Sequence, residues 1–250
     1  MTNYSQQTLL DTAPMIMLHI PGCWQRPADL ADRLPEGYQL TSSHLVLPDG
    51  QKIEYTPKKP DDQFFEMFQD ACLKPASSHE LDLVERYCIN VNLVGTGGSC
   101  EAAQRMLTAA AAIVSAGAGG VFVDNSAIAH GSADWIAMAE SQDPDGAYWA
   151  FVTTVVGKNE VYSLGAHALG MRDAVTTRTD DDLADHLAIN NFLGYMFELD
   201  QIVSDGDLLG DEEEAMFRIC KQDFTRFKSD SPLFNPYGQW YLKAVDATAN

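Results

Sequence analysis

The spacing of apolar residues changes sharply along Cys88–Asp124, which makes this the most informative stretch of the chain. Closely spaced apolar residues in CINVNLV predict a buried strand, and GTGGS supplies a glycine-rich turn. The apolar residues of the next segment recur every three or four positions, which predicts a long helix. They are Ala102, Ala103, Met106, Leu107, Ala110, Ile113 and Val114. VFVD then predicts a second buried strand, so a strand–helix–strand unit lies at the centre.

The residues before this unit predict a β-α-β-β-α order. MIMLHI is a short apolar strand, and a short helix follows within Trp24–Leu34. Tyr38–Leu47 and Gln51–Thr56 flank a Pro-Asp-Gly turn and predict a hairpin. A helix is expected after Asp61, where acidic residues favour a helix start, and a polar helical turn at Ser77–Arg86 leads into the central unit.

The residues after the unit repeat a similar order. A loop that holds His130 should lead to a short helix capped by Ser132, and Ala147–Gly157 and Glu160–Ala166 should form a second hairpin. A glycine-bearing bend, a short strand, a long helix over Asp180–Phe197 and an acidic loop follow. Helix or strand elements should complete the C-terminus.

These patterns predict a single α+β domain over residues 1–250. Its mixed or antiparallel sheet should carry helices on one side. The repeated order suggests two β-α-β-β-α-like halves, 1–86 and 87–250, and leaves open whether they share one sheet.

Composition limits the cellular setting. The N-terminus lacks the basic and apolar regions of a signal peptide, and the chain has no run of about 18 apolar residues that would span a membrane. The five cysteines are scattered without a CxxC pair, which suits free thiols in a reducing compartment and disfavours a zinc site built from cysteine clusters. We therefore expect a cytoplasmic protein.

Charge limits the class of partner. The formal net charge is −20, from 36 acidic and 16 basic residues, so neither nucleic acid nor an anionic membrane surface is an expected partner. The segment Thr179–Phe217 contains twelve acidic residues and no Lys or Arg. Its acids are Asp180, Asp181, Asp182, Asp185, Glu198, Asp200, Asp205, Asp207, Asp211, Glu212, Glu213 and Glu214. A basic partner fits this distribution best.

The central segment GTGGSCEAAQRMLTAAAAIVSAGAGGVFVDNSAIAHGSADW, followed by EVYSLGAHALGMRDAVTT, resembles the bacterial domain-of-unknown-function family 4261. The shared features are the Ala-rich helix that runs into a strand, His130 before Trp135, and the glycine-bearing segment before Thr177. The resemblance covers about Cys88–Thr177. It implies a cytoplasmic bacterial α+β protein and brings no established activity, cofactor or catalytic residue.

The glycine turn is one candidate site. A turn between a strand and a helix can bind phosphate through backbone N–H groups, and Asp124 ends the next strand, where a dinucleotide enzyme places its ribose-binding acid. The turn residues are Gly95, Gly97, Gly98, Ser99 and Cys100. No Lys follows in P-loop register, and a tight turn that needs glycine dihedrals explains the same residues.

Cys100 and two histidines could give this candidate site a catalytic role. Cys100 should lie in the first turn of the long helix, where the helix dipole can lower the pKa of its thiol. His130 or His167 could then act as its base, or could serve in acid–base or metal chemistry with Asp173. A buried or semi-buried structural thiol is the favoured interpretation of Cys100, and Asp173 could instead form a local ion pair with Arg172.

The acidic loop is the other candidate site. Acidic residues surround an exposed apolar pair there, and this combination is typical of a protein-binding surface. The residues are Asp205, Asp207, Leu208, Leu209, Asp211, Glu212, Glu213 and Glu214. The order of the acids does not match an EF-hand calcium loop.

The sequence therefore favours a non-enzymatic acidic binding protein with a basic partner, such as an immunity-type inhibitor of a cationic toxin. The alternative is a small-molecule or nucleotide-binding enzyme that uses the Gly95–Cys100 turn and the His130 and His167 loops. A structural subunit is a third hypothesis.

Overall fold

The computed structural model describes residues 13–141, 145–199, 203–210, 215–223 and 225–245, and their strands form two sheets. The first, sheet 1, has the order β2-β3-β4-β5-β1-β6-β7 and is antiparallel throughout. Its strands are β1 (Met15–Gly22), β2 (Gln39–Leu40), β3 (His44–Val46), β4 (Lys52–Lys58), β5 (Ile89–Thr96), β6 (Gly120–Val123) and β7 (Ile128–Gly131).

The second sheet, sheet 2, has the order β11-β12-β13-β10-β9-β8. Its strands are β8 (Thr153–Val156), β9 (Glu160–Leu164), β10 (Asp173–Thr177), β11 (Leu208–Gly210), β12 (Ala215–Gln222) and β13 (Gln239–Ala244). Only the pairing of β10 with β13 is parallel among these described strands.

Seven α-helices lie within the described residues. They are α1 (Pro27–Ala31), α2 (Phe64–Ala71), α3 (Ser78–Glu85), α4 (Cys100–Ser115), α5 (Ser132–Glu140), α6 (Asp145–Phe151) and α7 (Asp182–Leu199). A 3-10 helix, Ala166–Leu169, precedes β10. Two mostly antiparallel sheets with packed helices confirm the α+β prediction, and no helix of the described residues is long and apolar enough to cross a membrane.

The central strand–helix–strand unit is present as β5, α4 and β6, but β1 lies between its two strands. Leu18 pairs with Leu93 on β5 and with Val123 on β6. Helix α4 covers these strands, and Gly95 lets it approach closely, because a Cβ there would lie 2.3 Å from Met106 Sδ. Strands β5 and β6 therefore form one layer with the N-terminal strand β1, and α4 packs on that layer.

One buried apolar core extends from sheet 1 through α4 to sheet 2. It includes Leu18 and Leu93 from sheet 1 and Val161 and Leu242 from sheet 2. A smaller cluster lies on the opposite face of sheet 1, where Phe68 of α2 packs near Phe122. Sheet 1 thus has helices on both faces, so the expectation of helices on one side was wrong. The strands lie in two sheets, which answers the question of a shared sheet that the sequence left open.

Several local predictions were also wrong. Residues 147–151, predicted as a strand, belong to α6, and His130 lies in strand β7 instead of a loop. Helix α5 has Gly131 at its N-cap, so Ser132 is its first residue. Sheet 1 takes β5, β6 and β7 from beyond residue 86, so the division between the sheets falls after Gly131.

Candidate functional site

The glycine turn between β5 and α4 binds its own chain. Gly97 N donates a 2.7 Å hydrogen bond to Pro14 O, and Gly98 N donates a 2.9 Å bond to Ala168 O. These N–H groups are the ones a phosphate would need. A Cβ on Gly97 would lie 2.9 Å from Ile16 Cγ1, so the turn is closely packed as well as hydrogen-bonded. A tight structural turn explains this geometry.

The first turn of α4 does not activate Cys100. The Ser99 side chain accepts a 3.1 Å hydrogen bond from Ala102 N and caps the helix. Burial raises the pKa of the Cys100 thiol above its ordinary value, which is opposite to the expected effect of the helix dipole. The direction of this shift favours the structural role of Cys100 over a thiol that the helix dipole activates.

Asp124 and His130 lie in separate polar pairs. Asp124 Oδ2 is 2.9 Å from His19 Nε2, at a partly exposed position. His130 Nδ1 is 3.1 Å from Asp134 Oδ2. The hydrogen bond from His130, together with one from Lys74, lowers the pKa of Asp134 to about 2.

His167 belongs to a third buried group. Asn125 Nδ2 donates to His167 Nε2 at 3.0 Å and to Met15 O at 2.8 Å, while Asn125 Oδ1 accepts from Met17 N. The bond from Met17 fixes the orientation of the Asn125 amide, so its Nδ2 faces both His167 Nε2 and Pro232 O, the latter at 3.3 Å. Burial lowers the pKa of His167 to about 4. Its imidazole therefore serves as a neutral link between β1 and the 3-10 helix.

Asp173 has its own hydrogen-bond donors. Its Oδ1 accepts from Ser163 Oγ at 2.9 Å and from Ala166 N at 3.3 Å, and its Oδ2 accepts from Asn235 Nδ2 at 2.7 Å. His167 makes its hydrogen bond with Asn125, as described above. The polar partners of the predicted ligand-binding residues thus divide them into separate structural groups.

An apolar groove lies away from these groups, between α7 and the strands β11 and β12. We call it the α7 groove; its volume is about 920 Å³. It is lined by Thr179, Ala184, Asp185, Leu187, Ala188, Asn191, Phe192, Tyr195, Val203, Asp207, Leu208, Leu209, Gly210, Met216, Phe217 and Ile219. A groove of this size can hold side chains of a bound protein or a small molecule.

Strand register places three apolar residues on the floor of the α7 groove. Leu209 pairs with Phe217, and Ile219 lies two positions further along β12, so all three share one face of sheet 2. Thr154 lies on that same face and donates a hydrogen bond to Asn190 of α7. The floor is therefore the face of sheet 2 that carries α7.

Helix α7 forms the wall of the groove. It packs on β8, β9 and β10 through a buried stripe that includes Ile189, Phe192 and Leu193. Leu187 and Tyr195 instead remain 46% and 44% exposed and line the groove. The apolar spacing from Leu183 to Phe197 predicts a single buried stripe on this helix, and that prediction was too broad, because Leu183 and Leu187 lie outside the buried contact.

Acidic residues border this apolar surface, and no Lys or Arg lines it within the described residues. Asp185 is buried at one side, where its carboxylate accepts a 2.6 Å hydrogen bond from Thr179 N. Asp205 and Asp207 are exposed in the turn before β11, where they accept hydrogen bonds from Lys221 N and Ser204 N. The groove is thus acidic at its edges.

The predicted partner-binding residues divide into two groups. Leu208 and Leu209 lie in strand β11 instead of a loop, and strand alternation places them on opposite faces, with Leu208 55% exposed. Asp207 lines the groove and Asp205 is two residues away in the same turn. Asp211, Glu212, Glu213 and Glu214 lie outside the described residues.

Sequence reasoning missed the contribution of α7 and β12 to this surface. A usable signal was present, because apolar residues occur on more than one side of α7, including Leu183, Leu187 and Tyr195. A helix that is apolar beyond one stripe needs more than one contact surface. Phe217 gave no such signal, since its position on the groove floor depends on pairing with β11.

Comparison with known proteins assigns no family, because the chain matches no family model, no curated protein and no solved structure. The resemblance to the bacterial domain-of-unknown-function family 4261 stays an expectation from the sequence.

Proposed function

We propose that this chain is a non-enzymatic acidic binding protein that recognises a basic protein through the α7 groove. The observation that carries the proposal is an apolar groove with acidic edges and no basic residue among its described lining. Apolar contacts in such a groove supply affinity, and the surrounding carboxylates steer a positively charged partner. The net charge of −20 adds a long-range attraction of the same sign.

An immunity-type inhibitor is the specific form of this proposal. A cationic toxin that acts on a polyanion presents a basic surface, and an acidic protein can cover that surface. The chain would then need no catalytic group of its own. The rival proposal, a ligand site on the Gly95–Cys100 turn, has less support because Pro14 and Ala168 accept hydrogen bonds from the turn.

The charge component can be tested by capture from an extract of the source cells. The variant Asp205→Asn with Asp207→Asn removes two charges, while the amide oxygens can still accept the turn hydrogen bonds. Asp49→Asn with Asp61→Asn is the matched control, since both aspartates accept the same kind of bond in turns away from the groove.

We expect the wild-type protein and the control to retain a basic protein at low salt and to release it at about 0.5 M salt, where charges are screened within a few ångströms. The Asp205/Asp207 variant should retain less of that protein, as measured by quantitative mass spectrometry. Equal retention by the two variants, or captured proteins that are not basic, would overturn the proposal.

A further inference from the structure

We infer that the partner inserts an amphipathic α-helix with basic flanks into the α7 groove. The inference rests on the proposed function, and it specifies the shape of the bound segment. The geometry of sheet 2 supports a helix, as the following observations explain.

Within the described residues, sheet 2 is wider than helix α7, which packs on one of its faces. Six strands at about 4.8 Å spacing extend over about 24 Å, whereas a helix with its side chains is about 10 Å wide. Helix α7 packs on β8, β9 and β10. The α7 groove opens beside it, over β11 and β12, and two strands give about the width of one further helix.

The length and the wall of the groove also suit a helix. The lining residues of α7 extend from Ala184 to Tyr195, and this distance along the helix axis is about 16 Å, or three turns. Ala184 and Ala188 are small and lie one turn apart, so they permit close approach of a second helix beside the larger Leu187 and Tyr195. An added strand would instead pair along the edge of β11, a strand of three residues, and would leave the groove open.

Charge selects among the helices that could lie there. Asp185 and Asp207 line the groove, and no Lys or Arg does so within the described residues. A second copy of this chain also carries a net charge of −20, so self-association would place like charges together. A helix with apolar residues on one side and Lys or Arg beside them is complementary to both the floor and the edges.

Two synthetic peptides of about 14 residues can test the inference. Both contain equal numbers of Leu and Lys; one repeats Leu with helical spacing and the other alternates Leu with Lys, as in a strand. Binding is measured by isothermal titration calorimetry. The groove variant is Leu187→Ala with Tyr195→Ala, and the matched control is Leu183→Ala, on the same helix but outside the groove lining.

We expect the helical peptide to bind about tenfold more tightly than the alternating one, and the groove variant to weaken its binding by about tenfold. Leu183→Ala should leave the affinity unchanged. Preference for the alternating peptide, with the groove variant still defective, would overturn the helix inference alone and keep the groove as the basic-partner surface.

Binding of both peptides that is unaffected by the groove variant would overturn the proposed function together with the inference. A dimer detected by sedimentation and lost in the groove variant would show instead that a second copy occupies the groove. The peptide preference, the effect of the groove variant and the sedimentation result therefore distinguish these three outcomes.

Discussion

Asp173 and Asn235, which are 62 residues apart, are joined by a buried 2.7 Å hydrogen bond. Asn235 Nδ2 also donates to Met171 O, and its Oδ1 accepts from Tyr237 N. Asp173 lies at the start of β10, so this bond fastens the segment before β13 to the strand with which β13 pairs in parallel. The carboxylate therefore organises the junction while it is almost fully removed from water.

Asp173 and His167 should affect stability in opposite directions as pH changes. Burial raises the pKa of Asp173 from 3.8 to about 6. The stability that protonated Asp173 gives the folded protein is therefore complete below about pH 4 and is lost as pH rises through 6. Burial lowers the pKa of His167 from 6.5 to about 4, so its contribution is complete above 6.5 and is lost as pH falls toward 4. For each residue, the difference between its ordinary pKa and its pKa in the folded protein corresponds to about 3 kcal/mol in the free energy of unfolding.

Single variants should reveal these two opposite pH dependences when the free energy of unfolding is measured by urea denaturation between pH 4 and 6.5. Relative to wild type, Asp173→Asn should lose stability as pH falls, because it lacks the group whose protonation stabilises the fold. His167→Gln should gain stability as pH falls, because it lacks the group whose protonation destabilises the fold. Subtraction of the wild-type curve removes the effect of the other carboxylates. His79→Gln, an exposed control, should leave the slope unchanged, and slopes of the same sign in both variants would contradict the prediction.

Glu80 should be a large contributor to stability because it links two helix starts. Its carboxylate accepts hydrogen bonds from Ser77 N and Ser77 Oγ at the start of α3, and from Ser132 Oγ and Ala133 N at the start of α5. Although burial opposes ionisation, these hydrogen bonds outweigh it and lower the pKa of Glu80.

Glu80→Ala removes the acceptor of four partly buried hydrogen bonds at once, so we expect it to reduce the free energy of unfolding by about 3 kcal/mol. Glu85→Ala is the matched control, because Glu85 lies on the same helix and is exposed; its effect should stay within about 0.5 kcal/mol. Denaturant titration by circular dichroism compares the two. Equal effects would show that the hydrogen bonds of Glu80 contribute little.

Local patterns predicted the elements whose stability depends on near neighbours. The stripe that includes Met106 and Ile113 predicted α4, and the alternation around Ile53 predicted the hairpin of β3 and β4. Insertion of β1 between β5 and β6 could not be predicted in this way. It depends on pairs such as Leu18 with Leu93, whose separation along the chain leaves no periodic signal.

The wrong predictions have identifiable physical causes. Aromatic residues around Tyr148 favour a strand by propensity, but Tyr148 and Phe151 are three residues apart and both become buried when the segment is helical. Tertiary packing therefore overrides propensity in α6. For the α7 groove, the sequence indicated acidic charge and Leu209, whereas Phe217 joined the floor only through strand pairing.

Cys100 should react slowly with alkylating reagents. Burial raises the pKa of its thiol, so the thiolate fraction near pH 7 is smaller than that of an ordinary cysteine. Peptide mapping after timed iodoacetamide treatment should show slower labelling of Cys100 in the folded protein than in the urea-unfolded protein. Faster labelling in the folded protein would instead indicate an activated thiol and would revive the enzyme proposal.

Two glycine substitutions should change stability in opposite directions. Gly98 has a φ of +83°, and a Cβ there would lie 2.7 Å from Tyr237 Oη, so Gly98→Ala should cost about 1–2 kcal/mol. Gly194 lies within α7 with open space around its Cα, so Gly194→Ala should add about 0.5–1 kcal/mol through helix propensity. Thermal denaturation measures both effects. A neutral Gly98→Ala would mean that the turn has room for a side chain, and it would weaken the conclusion that the turn is closed by its own chain.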